Sequence, residues 1–203
     1  MSKTFLIGGG DLDRVSEKIA SEANGDNFLI VPFATEKEKR EKWVNAVKTA
    51  FLKFKDFNFD IVSENDSVIE IKKKIKDASI IFFTGGLPEK IIDEIKKLNI
   101  QDLLSNFEGV LVGYSAGALA FSKYCLITKD DDYKRTMIIR GLGLVNFTVS
   151  VHYDENEDNE LINFSNILDI YAIPDKSMII NISDKIDYFG NIFLFRKGLK
   201  IKE

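Results

Sequence analysis

The chain has 203 residues, 45% of them apolar, with 16 Phe and only 3 Pro, which is ample material for a packed core and lacks the low hydrophobicity that keeps a chain disordered. Its 32 acidic and 28 basic residues leave a net charge of −4 and are scattered, so no basic field exists to hold a phosphate backbone, and no nucleic acid partner is expected. The N-terminal apolar run is too short for a signal peptide, no run approaches the ~18 residues of a membrane span, and one cysteine rules out an internal disulfide.

These features predict a cytoplasmic protein with residues 1–203 as one domain and no membrane association. In chain order, residues 4–7 read as a short strand that runs into the Gly8-Gly9-Gly10 loop, and Asp13 is placed to cap a following helix. Residues 27–33 read as a buried strand. Trp43, Val44, Val47, Ala50 and Phe51 then recur at helical spacing within residues 36–54. A strand over 57–62 and a helix opened by Asp66-Ser67 repeat the pattern.

Residues 78–84 form a continuous apolar run, as expected of a central strand covered on both faces. Gly85-Gly86 ends it, and Pro88 fits the first turn of a helix, where its missing N–H would have been unpaired anyway. A short strand over 109–113 precedes a helix that includes Cys125, read as a core residue. Residues 170–174, 178–182 and 191–196 are strand-like, and Lys197-Gly198 marks a hairpin. The alternation predicts a three-layer α/β/α fold, with a mostly parallel central sheet and antiparallel strands near the C-terminus.

The strongest chemical signal is Gly113-Tyr114-Ser115-Ala116-Gly117 between a predicted strand and a predicted helix. There G-x-S-x-G makes a nucleophile elbow: the tight turn needs small neighbours, and the serine hydroxyl is held out at the carboxyl edge of the sheet. The Ala116 amide and the positive end of the helix would face a developing oxyanion. A second donor could come from the backbone of Gly85-Gly86. A serine nucleophile needs a base near neutral pKa, and His152 is the only histidine. It follows the apolar alternation of Val145, Phe147, Val149 and Val151, so it stands at a strand end. Candidates for the acid that orients it are Asp130, Asp131, Asp132, Asp154 and Glu155.

Taken together and in order, the Gly85-Gly86 turn, the Ser115 elbow, Asn146-Phe147 with His152-Tyr153, Ile173-Pro174-Asp175 and residues 191–195 resemble the serine peptidases that include dipeptidase E and cyanophycinase. The resemblance spans nearly the whole chain. It implies a class I glutamine amidotransferase-like, flavodoxin-like fold and a triad in the order Ser, acid, His. Carried over, Ser115 falls on the nucleophile, His152 on the base, Asp130 on the acid, and Gly86 and Ala116 on the oxyanion-hole positions. Two features depart from the family: Leu87-Pro88 replaces the usual Asn-Thr, and an acidic run over 154–160 stands where dipeptidase E carries arginines. Such a run repels a carboxylate, against an aspartyl preference.

No cluster of metal ligands and no G-x-G-x-x-G spacing is present, so no metal and no cofactor are expected. The resulting expectation is a serine hydrolase acting on a small peptide or isopeptide, as a monomer or homodimer. The competing readings are an esterase or acyltransferase on the same triad, and a binding or regulatory protein without turnover.

Overall fold

The computed structural model describes residues 3–183 and 185–203. Strand and helix alternate through the first part: β1 Lys3–Ile7, α1 Asp13–Ser21, β2 Asn27–Val31, α2 Lys37–Phe51, β3 Asn58–Ile61 and α3 Val68–Asp77. β4 Ile80–Phe83, α4 Pro88–Leu98, α5 Gln101–Ser105, β5 Val110–Tyr114 and α6 Ala116–Phe121 follow. The chain continues with β6 Tyr124–Ile127, β7 Met137–Arg140, β8 Thr148–Val151, a 3₁₀ turn Glu155–Glu157 and α7 Asp158–Phe164. It ends with β9 Ile170–Ile173, β10 Met178–Ile182, β11 Lys185–Phe189, β12 Phe193–Arg196 and β13 Leu199–Lys202.

A seven-stranded sheet in the order β11-β10-β1-β5-β4-β2-β3 forms the centre. From β1 to β3 every pairing is parallel, while β10 joins β1 antiparallel and β11 joins β10 antiparallel. Successive side chains of a strand point to opposite faces, and the strands are apolar on both. Phe5, Ile7, Phe28, Phe82 and Val112 pack with Val15, Ile19, Val47 and Phe51 of α1 and α2. Leu6, Leu29, Ile81, Phe83 and Leu111 pack on the other side with Ile71 and Ile75 of α3, Ile91 and Ile95 of α4, and Leu119 and Phe121 of α6. Helices thus cover both faces of a mostly parallel sheet, and the C-terminal strands are antiparallel.

Several local expectations need correction. Asp13 does not cap α1: Leu12 holds the cap position without a side-chain hydrogen bond, and Asp13 is the first helical residue, where its charge favours the helix dipole. Cys125 is not on the helix that follows Ser115. That helix closes at Phe121, and Cys125 is fully buried in β6. The strands β6 and β7 pair only with each other, antiparallel. A second sheet, β13-β12-β9-β8, pairs β8 with β9 in parallel and encloses a small core of Leu126, Tyr153, Leu161, Ile170, Ala172 and Phe195. The sequence reading did not separate this sheet from the central one, because short strands carry no signal of which partner they choose.

Candidate active site

Ser115 lies immediately beyond β5, at the carboxyl edge of the central sheet, with φ 50° and ψ −109°. That conformation is costly for a residue with a side chain, and it persists because the surroundings determine it. A β-carbon on Gly113 would stand 2.6 Å from the Gly117 carbonyl carbon and 2.7 Å from the Ala118 nitrogen. One on Gly117 would stand 3.0 Å from the Phe83 carbonyl oxygen of β4. The glycines of G-x-S-x-G therefore let strand, turn and helix approach closely enough to raise the hydroxyl above the sheet edge.

The structure brings Ser115 and His152 together: Ser115 Oγ lies 2.8 Å from His152 Nε2. The other ring nitrogen, His152 Nδ1, lies 2.7 Å from Asp175 Oδ1. The His152 and Asp175 side chains are about half exposed, at 50% and 54%. Their proximity follows from the second sheet. In the parallel β8–β9 pair Val151 is opposite Ile173, so the two strands end side by side, and the next residues are His152 on one and Pro174-Asp175 on the other.

Asp130, which the family order implied as the acid, is not on the imidazole. Its Oδ1 accepts from the backbone N–H groups of Asp132 and Tyr133, at 2.8 Å each, and its own N–H donates to the Tyr133 carbonyl at 3.0 Å. The carboxylate closes its own turn, as aspartates commonly do. Asp131 and Asp132 are exposed in the same loop. Asp154 accepts from the Asn156 N–H at the start of the 3₁₀ turn, and Glu155 lies 3.7 Å from Lys200. Sequence reasoning gave Asp175 no role. The signal available was local: like His152, Asp175 stands just past a short apolar strand.

The Gly85-Gly86 turn reaches the same place. A β-carbon on Gly85 would lie 3.5 Å from Ser115 Cβ, and the Leu87 N–H donates to the Ala34 carbonyl at 3.2 Å, which ties the turn to the loop after β2. Ala116 opens α6, where the first amides have no intrahelical acceptor. Both backbone segments thus border Ser115.

The acidic run over 154–160 is partly consumed by local structure. Asp158 accepts from Tyr153 Oη at 2.5 Å and from Lys200 Nζ at 2.9 Å. Glu157 is half-buried with Ser150 Oγ at 3.4 Å. Burial, with the neighbouring charges of Asp154, Glu160 and Asp130, pushes its carboxyl up to about 7, against the opposing effect of the Ser150 hydrogen bond.

A serine presented at the carboxyl edge of a mostly parallel α/β sheet, with one imidazole against it, defines the class of architecture. The sequence pattern of Peptidase family S51 matches residues 2–188, and the chain belongs to that family and is a serine-type peptidase. No curated protein matches it significantly in sequence. Among solved structures it is similar to a protein of Listeria monocytogenes EGD-e provisionally called peptidase E, at 20% identity. The TM-score is 0.74, with 93% of this chain and 98% of that one covered, which shows a shared fold. Among the described residues no helix is long and apolar enough to cross a membrane.

Proposed function

We propose that the protein hydrolyses a short peptide or isopeptide through an acyl-enzyme on Ser115, with His152 as general base and then general acid. Asp175 orients the imidazole, in place of Asp130. The observation that carries this reading is the continuous line from Ser115 Oγ to His152 Nε2 to Asp175 Oδ1, at 2.8 and 2.7 Å. For Nε2 to accept the serine proton, Nδ1 must hold the ring's own proton, and a carboxylate at 2.7 Å favours that tautomer.

Attack on the scissile carbonyl forms the Ser115 Oγ–carbon bond while the serine proton passes to His152. The oxyanion develops toward the amides of Gly86 and Ala116. Collapse breaks the carbon–nitrogen bond, and the imidazolium returns its proton to the leaving amine. Water then repeats the sequence on the ester and releases the acid. The buried, free Cys125 is compatible with a cytoplasmic setting.

A dipeptide library assayed beside Ser115→Ala tests the reading. Wild type should hydrolyse at least one member, and the variant should lose roughly three to six orders of magnitude in kcat. A fluorophosphonate probe should label the wild-type serine. Equal turnover by Ser115→Ala, or an unlabelled wild type, would sink the reading. Turnover of esters without peptides would favour an esterase.

A further inference from the structure

Three consecutive carbonyls leave the end of β1, and each accepts from one segment of the proposed triad. The Ile7 carbonyl accepts from Ser115 N–H at 2.9 Å, the Gly8 carbonyl from His152 N–H at 3.0 Å, and the Gly9 carbonyl from Lys176 N–H, next to Asp175, at 2.8 Å. All three donors have left-handed backbone: φ is 50° at Ser115, 53° at His152 and 64° at Lys176. Non-glycine residues adopt such values uncommonly, and contacts with the surroundings help to hold them there. Here one stretch of backbone supplies a hydrogen bond to each.

Side-chain space supports the same assignment. A β-carbon on Gly9 would stand 2.1 Å from His152 Cε1, 2.2 Å from Nδ1 and 2.5 Å from Asp175 Oδ1. The imidazole and its carboxylate therefore rest directly against the Gly9 backbone, and no larger residue leaves them in place. The loop is itself anchored. Tyr114 Oη donates to the Gly10 carbonyl at 2.5 Å, with the Tyr114 ring buried edge-on to Trp43, and Lys176 Nζ pairs with Asp11 at 2.6 Å.

We infer that residues 7–9 are a positioning element that aligns nucleophile, base and acid, and that Gly9 is a positioning residue acting through His152 and Asp175. This rests on the triad reading above. It gives the Gly8-Gly9-Gly10 loop a role that its sequence alone did not suggest.

Because His152 is the only histidine, its ring state can be read without assignment ambiguity by ¹⁵N correlation to the ring C–H protons. In the wild type at alkaline pH the neutral ring should carry its proton on Nδ1. In Gly9→Ala it should shift to the Nε2–H form that free imidazole side chains prefer. The kcat should fall about 100-fold or more, with KM within about threefold of wild type. Gly143→Ala supplies the control, since Gly143 also has positive φ (66°) but would bring its β-carbon within 4 Å of nothing. It should keep both kcat and the Nδ1–H ring.

A folded Gly9→Ala that retains the Nδ1–H ring and wild-type kcat overturns the inference, as does an equal loss in Gly143→Ala. If Gly9→Ala does not fold, Tyr114→Phe decides. Releasing the Gly10 carbonyl should lower kcat about three- to tenfold with KM unchanged, and no change in kcat or ring state overturns it. If the wild type cleaves none of the peptides while Gly9→Ala still moves the ring proton, the proposed function falls and the positioning element stands.

Discussion

The serine and the two groups proposed to serve it are held by different sheets. Ser115 follows β5, whose neighbours β1 and β4 are both parallel to it in the interior of the seven-stranded sheet. His152 and Asp175 follow β8 and β9 of the four-stranded sheet, with side chains about half in solvent. The first region makes its geometry chiefly from the small residues of one five-residue turn, packed against Phe83 of β4 and bonded to the Ile7 carbonyl of β1. The second makes it from the pairing of two strands that lie 19 residues or more apart in the chain. A serine presented by a turn is therefore readable in the sequence, and so is a histidine that has no competitor, whereas the carboxylate that strand register brings to that histidine is not.

The largest effect expected from breaking this contrast is at the acid. Asp175→Asn should lower kcat by about 10³- to 10⁴-fold, because the amide no longer selects the Nδ1–H tautomer. Asp130→Asn should stay within a few-fold, since that carboxylate accepts its hydrogen bonds from its own turn. Steady-state kinetics on both variants with one peptide substrate check this, and the reverse ranking would return the role to Asp130.

A smaller effect belongs to the first region. Ser67 and Glu70 form a reciprocal cap at the start of α3, with Ser67 N–H donating to Glu70 Oε2 at 2.7 Å and Glu70 N–H to Ser67 Oγ at 3.3 Å. Ser67→Ala should cost about 1 kcal/mol, lowering Tm by about 2–4 °C with kcat unchanged. Calorimetry alongside an activity assay would show whether stability and catalysis separate in this way.

The smallest is a pH effect confined to the second region. The Glu157 carboxyl is raised to about 7 in the folded protein, chiefly by burial, and it reverts to the ordinary glutamate range on unfolding. Between those values the native state holds the extra proton, so stability falls as pH rises through the window from about 4.5 to 7. The Tm loss from pH 5 to pH 8 should therefore be about 1–3 °C smaller in Glu157→Gln than in wild type, given solvent screening of a half-buried group. An identical loss in the two proteins would show that Glu157 ionises freely.

Much of the fold was legible because the first half of the chain repeats one physical unit. Apolar runs of strand length, such as residues 80–83, alternate with helices whose apolar residues recur three and four apart, as Ile91, Ile92 and Ile95 do. The hairpin at Lys197-Gly198 was legible for a similar reason: both residues have positive φ, at 51° and 76°, as a two-residue turn between antiparallel strands demands. Strands β6, β7 and β11 and α5 were not: β6 reads as a continuation of the helix after Ser115, the apolar run of β7 is three residues long, charged Lys185 and Asp187 interrupt β11, and α5 spans little more than one turn.

By itself, then, the sequence determined the alternating α/β plan, the small-residue turn around Ser115, and which imidazole is available to it, since His152 is the only histidine. Tertiary structure alone decided which carboxylate meets that imidazole and which backbone aligns the three. Turn geometry and helical periodicity arise from neighbours in the chain. The Asp175 contact depends on the β8–β9 register and the three carbonyl bonds on how β1 sits between β5 and β10, and both exist only once distant strands have paired.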